Sequence, residues 1–125
     1  MRRRSVVILT VFTSALLSCN DAIEAQPWVT PKDALTKYGL LASGFSIQKG
    51  QIVGTVVNTS SNGYKSANLL VHIYDPNGAR LKEQMVTTNS LWAGETIKVS
   101  ETVLYLTAAE QKGATAEVKA VKVEP

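Results

Sequence analysis

The chain has few of the residues on which most small-protein chemistry depends. Its 125 residues include a single Cys and a single His. A disulfide framework requires pairs of cysteines, and a structural zinc site requires several Cys or His ligands. The composition therefore excludes both.

Excess positive charge is also absent outside the N-terminus. The chain has 13 Lys and Arg against 10 Asp and Glu, a formal charge of +3. Arg2, Arg3 and Arg4 account for the whole excess, so the remaining residues are neutral as a group. Binding to nucleic acid requires clustered positive charge, and we predict no such partner. At 45% hydrophobic and 18% charged residues, the rest is typical of one globular domain.

The first residues have the composition of an export signal. The three arginines precede the 12-residue apolar run Val6–Leu17. A helix of that length spans about 18 Å, well short of a hydrocarbon core of about 30 Å. The run is too short for a transmembrane anchor and typical of a secretion signal.

A four-residue motif follows the apolar run. Leu16-Leu17-Ser18-Cys19 resembles a bacterial lipobox, in which an aliphatic residue lies three positions before a Cys and a small residue directly precedes it. The resemblance implies cleavage before Cys19 and acylation of that residue, and two or three acyl chains anchor a protein stably. We therefore predict that residues 1–18 are a lipoprotein signal peptide and that Cys19 is lipidated, which makes the membrane of a bacterial cell envelope a partner.

The second residue of the processed chain bears on which membrane is used. Asn20 would occupy the position at which an aspartate retains some bacterial lipoproteins at the inner membrane. Asn20 in place of an aspartate favours the outer membrane. The alternative is an ordinary signal peptide cleaved after Ala25, and the protein would then be secreted or periplasmic and begin at Gln26.

A tether and one short helix precede the main domain. Residues 19–29 have no usable hydrophobic periodicity and are expected to be a tether. Thr30 suits a helix N-cap, Pro31 the first helical position and Gly39 the left-handed stop. We therefore predict a tether and a helix of about two turns over residues 19–39.

Two polar motifs predict local structure in the main domain. Asn58 is expected to end its strand by hydrogen-bonding to the turn that follows. Thr107 and Glu110 are spaced as a capping box and predict a single helical turn.

From residue 40 onward the hydrophobic period is two. Leu69, Val71 and Ile73 lie on one face of a predicted strand, and Leu81 and Met85 share one face of the next. In the last strand the apolar phase shifts by one residue near Ala120, which indicates a β-bulge or a strand buried on both faces. Strands without helical crossovers predict an all-β fold for residues 40–125: an antiparallel, immunoglobulin-like β-sandwich of about seven strands, preceded by the short helix.

Three short motifs in this domain match a known pattern. They are a Gly-x-Val-x-Asn strand, a Tyr-Asp pair that leads into a hairpin, and a later Gly-Glu turn. The matching residues are Gly54, Val56, Asn58, Tyr74, Asp75, Gly94 and Glu95. The domain resembles the FxLYD family in these motifs, although Val71, Ile73 and Ala93 stand where that family has Phe, Leu and Pro. The resemblance implies an immunoglobulin-like sandwich in bacterial envelope proteins and implies no catalytic residues.

The sequence contains no recognisable catalytic constellation. His72 lies in the middle of a predicted strand, and we expect it on the strand surface rather than in a catalytic role. No glycine-rich loop precedes a helix, as phosphate binding would require. We therefore predict a protein that is not an enzyme, with no cofactor and no metal site, and we rank a small hydrolase last.

Two binding functions remain open. The first is a monomeric envelope module that binds another envelope protein, or supports its assembly, through the edge of the predicted strand Leu81–Thr88. That edge would be lost if the loop Leu91–Glu95 or the N-terminal helix covered it. The second is a small-ligand or glycan-binding lipoprotein that uses an exposed aromatic residue such as Tyr64 or Trp92.

Lipidation of Cys19 can be tested on the protein extracted from membranes. We expect its intact mass to correspond to a chain that begins at Cys19 and carries acyl groups, because the lipobox directs both steps. The Cys19→Ala variant should lack the acyl mass. A soluble wild-type chain that begins at Gln26 would contradict the prediction.

Overall fold

The computed structural model describes residues 27–125. The elements in chain order are α1 (Pro31–Tyr38), β1 (Leu40–Gln48), β2 (Gln51–Asn58), β3 (Ser66–Tyr74), β4 (Arg80–Thr87), β5 (Thr96–Thr102), α2 (Ala108–Gln111) and β6 (Thr115–Glu124). The predicted signal peptide, Cys19 and most of the predicted tether lie outside the described residues.

The strands form two antiparallel sheets of three strands each. Their orders are β1-β2-β5 and β4-β3-β6. The first, second and fifth strands share a sheet and the third pairs with the sixth, as in immunoglobulin sandwiches. The predicted all-β sandwich with a short N-terminal helix is confirmed, with six strands in the described residues against the seven or so expected.

The core lies between the inward faces of the two sheets. Leu69, Val71 and Ile73 of the central strand β3 have no exposed surface, as their predicted common face requires. Ile52 and Val56 of β2 are equally buried in the other sheet. Full burial of such side chains stabilises a fold by about 1.5–3 kcal/mol each, so these central strands contribute a large part of the hydrophobic stabilisation.

Strand β6 contains a β-bulge, one of the two alternatives that its change of apolar phase predicted. Its register against β3 shifts between Val118 and Ala120, so Lys119 is the extra residue. Val118 packs against the core before the shift, and Val121 and Val123 are buried after it. The bulge explains why the apolar residues change phase within one strand.

Strand β4 has a second irregularity that the sequence did not predict. Tyr74 pairs with Arg80, whereas Ile73 pairs with Lys82, so Leu81 is the extra residue. The sequence pattern placed Leu81 on the same face as Met85. That assignment is wrong because Leu81 packs against the core, whereas Met85 is 54% exposed.

Both helices have the caps that the sequence predicts. The Oγ1 atom of Thr30 accepts a hydrogen bond of 3.2 Å from the backbone N–H of Asp33, and Gly39 ends α1 with a φ of 72°. Thr107 and Glu110 form a reciprocal capping box at α2. No helix among residues 27–125 has the length and hydropathy needed to cross a membrane.

The first helix packs on one side of the sandwich. It contacts β1 and β6, and it buries Ala34 and Tyr38. The Tyr38 hydroxyl donates a 2.8 Å hydrogen bond to the carbonyl of Pro27, and burial together with the nearby Tyr64 raises its pKa. Val29 pairs with Val121 of β6 through two backbone hydrogen bonds of 2.9 and 2.8 Å. The N-terminal segment therefore covers the outer edge of β6.

This packing predicts that residues 27–39 stabilise the sandwich. We expect a fragment of residues 40–125 to have a free energy of unfolding about 2–4 kcal/mol below that of residues 27–125, because it loses two buried side chains and the bridge to β6. Urea unfolding followed by far-UV circular dichroism measures the difference. Equal free energies of unfolding, each obtained from the midpoint and the slope of its own transition, would show that the helix contributes nothing to stability.

Candidate functional site

Strand β4 is the outer strand of its sheet and pairs with β3 alone. The N–H of Thr88 donates a 2.9 Å hydrogen bond to the carbonyl of Ala67, so these two residues form a hydrogen-bonded pair. Such pairs alternate along an antiparallel ladder, and Val86 and Gln84 therefore also bond to β3. The intervening residues direct their backbone groups away from β3. They are Glu83, Met85 and Thr87.

Neither of the two elements that could have covered this strand does so. Helix α1 packs against β1 and β6, on the opposite side of the sandwich. The loop Leu91–Glu95 forms its backbone hydrogen bonds with Tyr64 and Asn58 instead. Within residues 27–125, no further strand pairs with β4. The predicted edge strand is thus open in the described part of the chain.

The segment after β5 forms a wall beside this edge. The Gln84 side chain donates a 2.8 Å hydrogen bond to the carbonyl of Thr102 and accepts one of 3.0 Å from the N–H of Leu104. The Lys82 ammonium donates to the carbonyl of Leu104 at 2.6 Å and lies 5.1 Å from the centre of the Tyr105 ring. These side chains satisfy backbone groups at the end of β5, whereas the outward groups of β4 keep no such partner among the described residues.

Three apolar or aromatic side chains flank the open strand. Met85 is 54% exposed, Leu104 46% and Tyr105 94%. Tyr105 also has a φ of 63°, a left-handed conformation that is rare for an aromatic residue. We refer to the outward backbone groups of β4 together with these three side chains as the β4 edge.

The single histidine lies on the outer face of the same sheet. His72 pairs with Glu83 across β3 and β4, with 2.7 Å between Nε2 and Oε2. Its Nδ1 lies 3.3 Å from the Tyr74 hydroxyl. Glu83 was missed by sequence reasoning because the contact depends on strand register. Four cavities of the described residues are lined by other side chains, and Glu83 is exposed on the sheet face.

Two loops at one end of the sandwich form a cleft with a volume of about 300 Å³, here called the loop cleft. Reciprocal backbone hydrogen bonds of 2.9 Å between Tyr64 and Leu91 join its walls. Trp92 is 69% exposed. Tyr64 is half-buried, and its hydroxyl donates a 2.7 Å hydrogen bond to the carbonyl of Tyr38. Of the two aromatic residues predicted as ligand platforms, Trp92 therefore has the accessible ring.

A buried amide holds both walls of the loop cleft. Asn58 has no exposed surface, and its Nδ2 donates hydrogen bonds to the carbonyls of Asn62 and Trp92 at 2.7 and 3.1 Å. Its Oδ1 accepts from the N–H and the hydroxyl of Ser60 at 3.0 and 2.7 Å. The prediction that Asn58 bonds to the turn after its strand is confirmed. Its link to Trp92 joins residues far apart in sequence and was not predicted.

The other polar residues of the three sequence motifs also stabilise turns. Asp75 Oδ1 accepts two backbone hydrogen bonds of 2.9 Å within the β3–β4 hairpin. The N–H of Gly94 donates to the Asn58 carbonyl at 2.8 Å, and Glu95 Oε1 accepts from the N–H of Trp92 at 2.8 Å. Gly54 leaves space for a ring, since a Cβ there would lie 2.5 Å from Phe45. The motifs thus have structural roles in this chain.

Comparison with known proteins identifies no relative. No family model, no curated protein and no solved structure matches the chain. The resemblance to the FxLYD family therefore stays a prediction. Lipidation of Cys19 also stays a prediction, because that residue lies outside the described residues.

The role of the buried amide predicts a specific loss of stability. We expect Asn58→Ala to lower the free energy of unfolding by about 2–4 kcal/mol, because several hydrogen bonds are lost and a cavity is left at a fully buried position. Urea unfolding measures the change. Asn68→Ala is the matched control: the Asn68 amide accepts a 2.8 Å hydrogen bond from Thr87 on the exposed face. Equal effects of the two substitutions would contradict this role.

Proposed function

We propose that the protein is a non-enzymatic, lipid-anchored module of the cell envelope that binds an extended segment of another envelope protein along the β4 edge. The outward backbone groups of Glu83, Met85 and Thr87 carry this proposal, because an added strand pairs with backbone groups at alternate residues. The binding segment would extend the β4-β3-β6 sheet by one strand.

Two of the other three outer strands, β6 and β5, are less suited to this role. Val29 pairs with the outer side of β6, and α1 packs beside it. The Gln84 side chain donates a hydrogen bond to the carbonyl of Thr102, at the end of β5. Lys98 lies near the middle of that strand. Charged side chains on an edge disfavour strand pairing. Lys82 and Glu83 carry charge in the first half of β4, but the residues from 84 to 87 carry neither charge nor proline.

The exposed side chains of the β4 edge would contribute to the same contact. Side chains alternate between the two faces of a strand, so one set from the partner would lie beside Met85 on the outer face. The other set would lie on the inner side, where Lys82 contacts Leu104 and Tyr105. Burial of exposed apolar and aromatic groups is a usual source of binding energy at protein interfaces.

The absence of enzymatic activity and the lipid anchor are supported by different observations. The Tyr74–His72–Glu83 group lies on the outer face of the sheet, and none of these side chains lines any of the four cavities named above. This supports a role in cross-strand pairing. The anchor rests on the lipobox, which would hold the domain at a membrane surface, preferably the outer membrane.

The proposal is tested by removing one outward N–H group of β4 while keeping the backbone hydrogen bonds between β4 and β3. Met85→Pro does this, because proline lacks the N–H and the Met85 backbone faces away from β3. Val86→Pro is unsuitable, since Val86 is fully buried and bonds to β3. We expect Met85→Pro to keep the β-rich fold and to weaken binding to the partner captured by the wild-type protein at least tenfold, about 1.4 kcal/mol, in a titration with the purified partner.

The matched control is Ser100→Pro, which places a proline at an outward position of β5, an outer strand of the other sheet. Binding should survive this substitution. Equal affinity of wild type and a folded Met85→Pro variant would contradict the proposal. A second experiment replaces Met85 with a photoreactive residue and crosslinks the protein in cells. The absence of any defined protein adduct would also contradict the proposal.

A further inference from the structure

We propose that the loop cleft is a second binding site and that its ligand is a saccharide, with one pyranose ring stacked on the indole of Trp92. The site uses other residues than the β4 edge. The inference is therefore independent of the proposed protein-binding function, and either can fail without the other.

The backbone that carries the indole is held in place although the side chain is exposed. The N–H of Trp92 donates to Glu95 Oε1 at 2.8 Å, and its carbonyl accepts from Asn58 Nδ2 and from the N–H of Glu95, both at 3.1 Å. Three hydrogen bonds thus fix the backbone while 69% of the residue remains accessible. A binding surface that is already ordered loses little conformational entropy when a ligand covers it.

The other tryptophan of the chain has an indole ring that already contacts a cation. Trp28 is 39% exposed, and the Lys122 ammonium lies 5.1 Å from its ring centre. A cation at that distance occupies the electron-rich face of the ring. In the described residues, no cation and no aromatic ring is paired with Trp92 in this way. Its ring face is therefore available to a ligand.

The chemistry of the cleft matches a sugar ring. The face of an indole carries partial negative charge and attracts the C–H groups of a flat apolar surface, and a pyranose presents such groups on one face. The hydroxyl groups at its rim need polar partners. Ser90 and Lys65 line the cleft next to Trp92 and supply a hydroxyl and an ammonium group. The volume of about 300 Å³ lies at the lower end of the range for small-ligand sites.

A peptide ligand fits this site less well. Grooves that bind proline-rich peptides are lined by several aromatic side chains, which contact successive turns of the peptide. The hydroxyl of Tyr64 is bonded to Tyr38 and its ring is half-buried, so the cleft offers a single exposed aromatic platform. A single platform suits a single ring.

Binding is measured by calorimetric titration of the full-length processed protein with cellotriose, tri-N-acetylchitotriose and trigalacturonate at millimolar concentrations, and with a proline-rich peptide. We expect saturable binding of at least one trisaccharide. In parallel, the indole N–H signal of Trp92 in the NMR spectrum should shift with the same midpoint, and that of Trp28 should not. The two tryptophans provide an internal control.

Two variants localise the ligand. Trp92→Ala should weaken binding about tenfold, because the stacking contact is lost. Gly63→Ala should also weaken it: the added Cβ would lie 3.7 Å from the Leu91 carbonyl, an ordinary contact that the fold tolerates, and would narrow the cleft. The control Trp28→Ala should bind like the wild type.

Several results would overturn the inference. They are no saturable binding of any trisaccharide, binding of the peptide alone, an equal shift of both indole signals, and unchanged affinity in a folded Trp92→Ala or Gly63→Ala variant. None of these results would bear on Met85 and the β4 edge.

Discussion

The side chain of Asn58 is the one polar group on which an entire end of the molecule depends. It lies at the end of β2 without exposed surface and bonds to both loops that follow β2 and β4. Leaving a buried amide without hydrogen-bond partners costs more free energy than forming those hydrogen bonds gains. The Asn58 side chain therefore fixes the positions of Ser60, Asn62 and Trp92 together. Because these loops are fixed from beneath, Trp92 can remain exposed beside a defined cleft rather than packing into the core.

The two sides of the sandwich differ in how their strand edges are treated. On the side of β6, the N-terminal segment adds the Val29 bridge and packs a helix against the sheet. On the side of β4, the Gln84 side chain satisfies the backbone of β5, but the outward groups of β4 are left to solvent. Unpaired edges promote association and are usually blocked in soluble proteins. An edge that is left open next to Met85, Leu104 and Tyr105 is therefore the surface at which we expect a partner.

Features that depend on a few neighbouring residues could be predicted from the sequence, whereas those that depend on strand register could not. The caps at Thr30 and Thr107 and the bulge in β6 are local, and each was predicted. The extra residue at Leu81 leaves no local signal, so the faces of β4 were assigned incorrectly. The contacts His72–Glu83 and Asn58–Trp92 join different strands and loops, and they form only once the sheets are assembled. The candidate sites were thus predicted as single residues, and their surroundings came from the fold.

The central claim is that the outward backbone groups of β4 are unpaired and available. Amide hydrogen exchange of the full-length protein, followed residue by residue by NMR, tests it directly. The account predicts an alternating pattern in which Glu83, Met85 and Thr87 exchange rapidly while Gln84 and Val86 are protected by their bonds to β3. Strong protection of the Met85 amide in the isolated protein would show that another part of the chain, or a second copy, already covers the edge, and would contradict the account.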